Sequence, residues 1–342
     1  MKRQLILTVS CDTDPDTNPT VRRIHHANEH RPLWQGIEQG IASFRQALLA
    51  KVAARLQRLP ITWLLRSDRM ILEVYDDAAY CFKTFEKIWQ AELQSGNELG
   101  WHPHLFRWND AGNSWDAYLD KDDDIEVLEH CLTELRRHFD VNSVRTGWTY
   151  CSNRIMHLFD RRHLKIDVSA IPHSKLAEWW HYDWSGTSPR AYFPSRDDYR
   201  VTSNEVGKNL QIVELPVLAF RLNPAWHAAR FGFKNLKAIY KSDHAFLSWK
   251  NTQYRGCLIT HSSATFQAAV KQQLFNGLHN TDPIFVNTFF HADELLRTES
   301  LTHFITNLNF IDAFANANQL ELVATTLTPA TGLAKQSIAS RG

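Results

Sequence analysis

Two carboxylates one residue apart, Asp12 and Asp14, close the apolar run Leu5-Ile6-Leu7-Thr8-Val9-Ser10-Cys11, and two imidazoles one residue apart, His102 and His104, close the segment beginning at Gly100-Trp101. Side chains alternate between the two faces of a strand, so residues i and i+2 project to the same side. Asp12 and Asp14 can therefore share one ion or one substrate atom, and the two histidines can do the same. Two His with a carboxylate form a usual ligand set for a catalytic zinc that keeps a position open for water. Blander readings compete with this one. Asp, Asn, Pro and Thr crowd residues Asp12 to Thr20 as they do in turns, and a single His beside Trp and Phe is more often a packed, hydrogen-bonded residue. Two matched pairs at two strand ends favour the metal.

The elements that would position these pairs alternate along the chain. The first run is short, rich in β-branched residues and closed by Pro15, which describes a buried strand of a parallel sheet. The carboxyl ends of such strands are where α/β enzymes keep their chemistry. A polar loop follows from Pro15 to Pro32. Gln35 to Leu59 then reads as an amphipathic helix on Ile37, Ile41, Phe44, Leu48, Val52 and Leu56, stopped by Pro60. Strands are expected at Ile61 to Leu65, Glu98 to His104, Val144 to Trp148, Lys165 to Ala170, Leu210 to Val217, Cys257 to Thr260, Pro283 to His291 and Leu320 to Thr326. Helices are expected at Ala79 to Gln94, from the acidic cluster Asp120 to Asp124 through His138, at Asn153 to Arg162, Leu236 to Trp249 and Ala264 to Leu278, and after His291 through Asn316. Seven or eight such units argue one α/β domain over residues 1–330, a distorted parallel TIM-like barrel, with residues 331–342 as a flexible tail.

Composition narrows the function. Lys plus Arg number 38 against 37 Asp plus Glu, so there is no broad basic face of the kind nucleic acid requires. No stretch reaches the roughly 20 apolar residues of a membrane span, and the first run is too short for a secretory core. Cys11, Cys81, Cys131, Cys151 and Cys257 are odd in number and lack CxxC spacing, which fits reduced thiols in a cytoplasmic protein. Twelve Trp suit a carbohydrate ligand, because indole faces stack on sugar rings.

In order, the Asp-x-Asp strand, Glu98-Leu99-Gly100-Trp101-His102-Pro103-His104, Arg145-Thr146-Gly147, Glu214-Leu215-Pro216-Val217 and the late apolar strand ending in His resemble the polysaccharide deacetylase superfamily, the NodB-homology domain. The resemblance spans nearly the whole chain. It implies a distorted barrel of parallel strands and a divalent ion that activates water to remove N-acetyl or O-acetyl groups from sugars. By position it makes Asp12 the general base, Asp14 and His102 metal ligands, and Arg145 the partner that keeps Asp12 ionised. It makes His291 the acid for the leaving amine, in preference to His261, because His291 lies one helix before the final strand. Trp148, Trp184, Tyr192 and Glu294 are expected to contact the sugar, Trp184 and Tyr192 from an exposed loop between Trp179 and Tyr199. With a cytoplasmic location, the family implies a nucleotide-linked, lipid-linked or polymeric sugar in surface polysaccharide or lipopolysaccharide biosynthesis.

Two departures from the family pattern stand in the sequence. The family usually places its histidines four apart, and four after His102 stands Phe106, which cannot bind metal. His104 is the natural substitute. Thr13 also separates two aspartates that are commonly adjacent. Three other functions share parts of the pattern. Asp12-Thr13-Asp14 has the spacing that binds a metal diphosphate in glycosyltransferases, although such pairs usually lie well into the domain. A phosphatase with Asp12 as nucleophile would need a late Lys and a carboxylate pair that cannot be assigned. A metal-free sugar-binding relative would explain the irregular His spacing as lost chemistry.

Overall fold

A computed structural model of the chain describes residues 2–16, 33–111, 114–117, 122–176, 182–221, 254–275 and 282–341. Its centre is a curled parallel sheet that forms a half-barrel. The strands are β1 (Gln4–Thr13), β2 (Ile61–Arg66), β3 (Glu98–His102), β4 (Ser143–Val144), β5 (Ile166–Asp167), β6 (Val213–Glu214), β7 (Ile284–His291) and β8 (Glu321–Ala324). Their order is β6-β5-β4-β3-β2-β1-β7, and β8 pairs with the first half of β1. The open edges meet through irregular chain: Asn287 Nδ2 donates to Leu215 O at 2.8 Å, Leu218 N to Asn287 O at 2.6 Å and Ile259 N to Phe289 O at 3.0 Å.

Alternation along β1 explains both the core and the site. Leu5, Leu7, Val9 and Cys11 belong to the large cluster under the helices, whereas Ile6, Thr8, Ser10 and Asp12 share the other face. That inner face is apolar at the amino end of the strands, where Ile6 packs with Leu64, Ile166 and Val213. It turns polar toward the carboxyl end: Thr8 donates to Asn287 Oδ1 at 3.0 Å, and Ser10 accepts from Arg145 Nη2 at 3.0 Å. The apolar layer therefore fills the lower interior of the half-barrel and leaves the upper layer for charge.

The covering helices are α1 (Ile41–Lys51), α2 (Arg69–Tyr75), α3 (Tyr80–Thr84), α4 (Glu86–Gln94), α5 (Asp122–Arg136), α6 (Asn153–Arg161), α7 (Ser263–Phe275), α8 (Thr298–Ala317) and α9 (Leu327–Ala339). The single helix expected from Gln35 to Leu59 is three pieces: a π-helical turn Gly36–Gly40, α1, and a 3-10 turn Ala54–Leu56. The chain extends at Val52, with φ −111° and ψ 151°, yet Val52 and Leu56 stay buried, so the periodic burial survives the break. In the π-helical turn, a Cβ on Gly36 would stand 2.5 Å from the backbone of Ala292, so this glycine lets the turn press against the segment that follows β7. Phe85 divides the helix expected from Ala79 to Gln94.

Helix α2 was not anticipated, although Asp68 carries the start signal and its carboxylate accepts Ile71 N–H at 3.1 Å. The tail expected to be flexible from residue 331 is instead part of α9, in which Leu327, Ala330 and Ala334 are fully buried against the lower barrel layer. Small residues there permit close approach, and Glu98 accepts Thr328 N–H at 2.8 Å at the helix start. The helix expected over Leu236 to Trp249 lies outside the described residues, as does most of the loop from Pro15 to Pro32. All five cysteines are buried and unpaired. Among the described residues, no helix is long and apolar enough to cross a membrane.

Candidate active site

The carboxyl ends of β1, β2, β3, β4 and β7 deliver Asp12, Arg66, His102, Arg145 and His291 to one end of the barrel. Pairing register accounts for this, since Asp12 lies opposite His291 on β7 and Arg66 opposite His102 on β3. Thr13, between the two aspartates, donates its hydroxyl to Leu64 O at 3.0 Å and accepts Arg66 N–H at 3.1 Å. The strand end is thereby fixed, and Asp12 and Asp14 turn to the same side.

Asp14, His102 and His104 offer ligand atoms that all lie within 4.8 Å of one another. His102 Nε2 is 3.5 Å from Asp14 Oδ2, and His104 Nε2 is 3.3 Å from Asp14 Oδ1. Strand alternation does not bring the histidines together as expected, because β3 ends at His102 and His104 stands beyond Pro103. Other contacts hold His104. Its backbone N–H donates to Asp68 Oδ2 at 2.9 Å, and its ring lies against the backbone of Gly147, where an added Cβ would come within 2.0 Å of the imidazole. Gly147→Ala is therefore expected to displace His104 and weaken metal uptake about tenfold or more, as loss of a supporting contact does. Chelator competition on the purified variant measures it.

The donor set fits a divalent cation on an observation of its own. His102 Nδ1 lies 2.8 Å from Arg145 O, a pure acceptor, so that nitrogen carries a proton and Nε2 is the atom His102 offers to the cluster. Metal-bound histidines commonly hold their second nitrogen in this way. The two Nε2 atoms then face each other at 3.1 Å, an arrangement that needs a proton or a cation between them. Burial, reinforced by the Arg66 guanidinium, pulls His104 down to about 4, so it is neutral and able to ligate. Burial also opposes charge on His102, but the Asp12 and Asp14 carboxylates outweigh it and raise its pKa. For Asp14, burial opposes ionisation, yet His104, His102 and Arg66 hold the carboxyl well below the usual range.

Asp12 and His291 flank this cluster. Asp12 Oδ2 stands 3.9 Å from His102 Nε2 and 4.0 Å from His291 Nε2. Arg145 Nη1 is 3.5 Å from Asp12 Oδ1 without forming a hydrogen bond, and both atoms are buried with no hydrogen-bond partner among the described residues. The guanidinium is held instead by Val168 O, Ser10 Oγ and the ring of Phe289, whose centroid lies 4.0 Å away. Asp12 is almost sealed whereas the His291 side chain is 35% exposed, so the arrangement opens past His291.

Three of the four expected sugar contacts do not stand as expected. Trp184 is fully buried, donating its indole N–H to Thr149 O at 2.8 Å and packing edge-on against Tyr199. Tyr192 is buried, donates its hydroxyl to Tyr199 O and pairs its backbone with Glu214. Both are packing residues, because a large ring with one polar group fills space well wherever an acceptor is within reach. Glu294 is also turned inward. It accepts from Thr260 Oγ1 at 3.0 Å and from His291 N at 2.9 Å, and its Oε2 faces His291 Nδ1 at 3.6 Å, so it orients the histidine rather than a sugar. Trp148 remains half-buried beside the cluster, 6.4 Å from the His104 ring and 5.3 Å from Phe106, with its backbone in the left-handed region at φ 57°. Phe106 begins a hairpin, Phe106–Asn109 with Ser114–Ala117, that the sequence reading missed.

Arg66 and Asp68, which directly follow the strand expected at Ile61 to Leu65, also belong to the site. Arg66 forms buried ion pairs with both Asp14 and Asp68. The available signal was an arginine and an aspartate together at the end of a buried strand, where unpaired charge is costly.

Neither a protein-family model nor a curated protein matches the sequence. Solved structures do. The chain aligns over 98% of its length with 71% of a provisionally named glycoside hydrolase/deacetylase from Parabacteroides distasonis, at TM-score 0.61 and 12% identity. It aligns over its full length with 92% of a provisionally named polysaccharide deacetylase from Mycobacterium smegmatis, at TM-score 0.55 and 11% identity. A third match is Puue allantoinase, at TM-score 0.52 and 12% identity, covering 97% of this chain and 90% of that one. The fold is thus that of the polysaccharide deacetylases, as the sequence motifs anticipate.

Proposed function

We propose that this chain, with the polysaccharide deacetylase fold and a buried acid–base pair at its strand ends, is a metal-dependent hydrolase that removes an acetyl or other acyl group from a sugar. The observation that carries the reading is the placement of Asp12 and His291 on adjacent strands, 4.0 Å apart, beside the Asp14, His102 and His104 cluster. The names of two structures with the same fold support the reaction class.

Asp14, His102 and His104 would hold a divalent ion, zinc by the nature of the donor set. When bound, such an ion polarises an acyl oxygen and makes water more acidic. Asp12 then takes the proton from the attacking water on Oδ2, the oxygen that faces His102 and His291. Arg145 fixes the orientation of Asp12 from the sealed side. His291, at the open side, gives a proton to the departing nitrogen or oxygen, while Glu294 holds its ring through Nδ1. Trp148 and Phe106 form an aromatic rim on which a sugar ring can rest. A cytoplasmic nucleotide-linked or lipid-linked sugar of a surface polysaccharide pathway is the substrate class we favour, in keeping with five unpaired cysteines.

Phe106 in place of a ligand favours a second reading, a metal-free sugar-binding relative. Elemental analysis of purified protein, with acetate release from a panel of N-acetylated sugars, separates the two. About one ion per chain and metal-dependent acetate release are expected. An ion-free protein that still binds sugar would overturn the first reading in favour of the second.

A further inference from the structure

His104 lies past the end of β3, where the sheet no longer holds it, yet its ring meets the ligand cluster. Arg66, 4% exposed at the end of β2, connects the parts. Its Nη1 pairs with Asp14 Oδ1 and its Nε with Asp68 Oδ2. Asp68 Oδ2 also accepts the backbone N–H of His104 at 2.9 Å, while Asp68 Oδ1 caps α2 at Ile71 N. Met70 Sδ, 3.6 Å from Nη2, and the Phe106 ring, 5.8 Å from the guanidinium carbon, close the remaining sides. One buried cation thus ties the carboxylate of Asp14 to the carboxylate that anchors His104.

We infer that Arg66 is a positioning residue for the metal site: it fixes Asp14 with Oδ2 toward His102 and, through Asp68, keeps His104 in the ligand set at His-x-His spacing. The inference rests on the metal reading above and goes beyond it. A planar guanidinium can address two carboxylates at once in fixed directions, which an ammonium cannot. Positioning and plain electrostatics give opposite signs on removal. A nearby cation repels a divalent ion, so a purely electrostatic Arg66 would weaken metal binding and its loss would tighten it. A positioning Arg66 strengthens binding by orientation, so its loss weakens it despite the relieved repulsion.

The test is the affinity of purified protein for Zn²⁺ and Co²⁺ by chelator competition, with the Co²⁺ absorption spectrum as a report on ligand geometry. Arg66→Lys, which keeps the charge and loses the fork, is expected to weaken binding roughly 10–100-fold, as removal of a ligand's supporting partner does. Its Co²⁺ spectrum should change as well. Arg66→Met is expected to weaken binding too. Tighter binding by R66M, or wild-type affinity and spectrum in R66K, overturns the inference. Should neither Arg66 variant fold, Asp68→Asn decides, since it leaves the Arg66–Asp14 pair and weakens the carboxylate bridge from Arg66 to the His104 backbone while its amide oxygen can still cap α2; unchanged affinity there also overturns it. If the wild-type protein binds neither ion, the metal reading itself fails, a result distinct from all of these.

Discussion

Asp12→Asn is expected to lower turnover roughly 10²–10⁴-fold, the usual worth of a positioned general base, while leaving the bound metal in place. In barrier height the loss is about 3 kcal/mol or more. Asn has the shape of Asp and accepts through one oxygen, so the packing around a side chain only 3% exposed is preserved and the loss is chemical. Asp14→Asn separates the two roles. It removes the charged member of the ligand cluster and leaves Arg66 with Asp68 as its sole carboxylate among the described residues. Asp68 still compensates the buried guanidinium, so D14N should lose metal with a smaller loss of stability than an unpaired buried charge would bring. Metal content by elemental analysis and an unfolding curve on each variant distinguish them. Equal metal loss in D12N and D14N would mean that Asp12 is also a ligand.

The Asp12 and Asp14 pair and His102 stand out by their spacing at the ends of apolar runs. His291 is reached only through the family resemblance, and its position opposite Asp12 follows from the pairing of β1 with β7. Parts held by single contacts are not legible from spacing. His104 reaches the cluster because Asp68 takes its N–H and Gly147 has no side chain, facts that no periodicity records. Strands β5 and β6 are only two residues long each, and Glu214 of β6 also pairs with Tyr192 from outside the sheet. The tryptophan content says little about a ligand, for a physical reason. Trp63, Trp89, Trp101 and Trp184 are all buried, and each gives its single N–H to a fixed acceptor: Glu92, Cys81 O, Ser67 O and Thr149 O. Composition cannot separate an indole satisfied inside from one offered to a sugar; only the acceptor decides.

His291→Ala is expected to slow turnover roughly 10²-fold or more, whereas His261→Ala should change it little. Both histidines lie near the carboxyl end of the barrel, but only His291 is placed within 4.0 Å of Asp12 and gripped by a carboxylate on its far nitrogen. His261 packs edge-on toward Phe220, and its Nδ1 is buried without a hydrogen-bond partner among the described residues. The pH dependence follows from the same geometry. Burial opposes charge on His291, but Glu294 and Asp12 outweigh it and push its pKa up to about 9. An acid must carry its proton, so activity should hold through neutrality and fall as the pH rises through about 9, lower when a divalent cation is bound beside it. Glu294→Gln removes the largest stabilising partner of the imidazolium and should move this alkaline limb toward the ordinary histidine value near 6.5. Stability should follow the same sign: the linked contribution is fully present below about pH 6.5 and disappears as the pH rises through about 9. Rate profiles for wild type, H291A, H261A and E294Q on one acetylated substrate settle the assignment. An alkaline limb that stays in place in E294Q, or an H261A variant as slow as H291A, would assign the proton to another group.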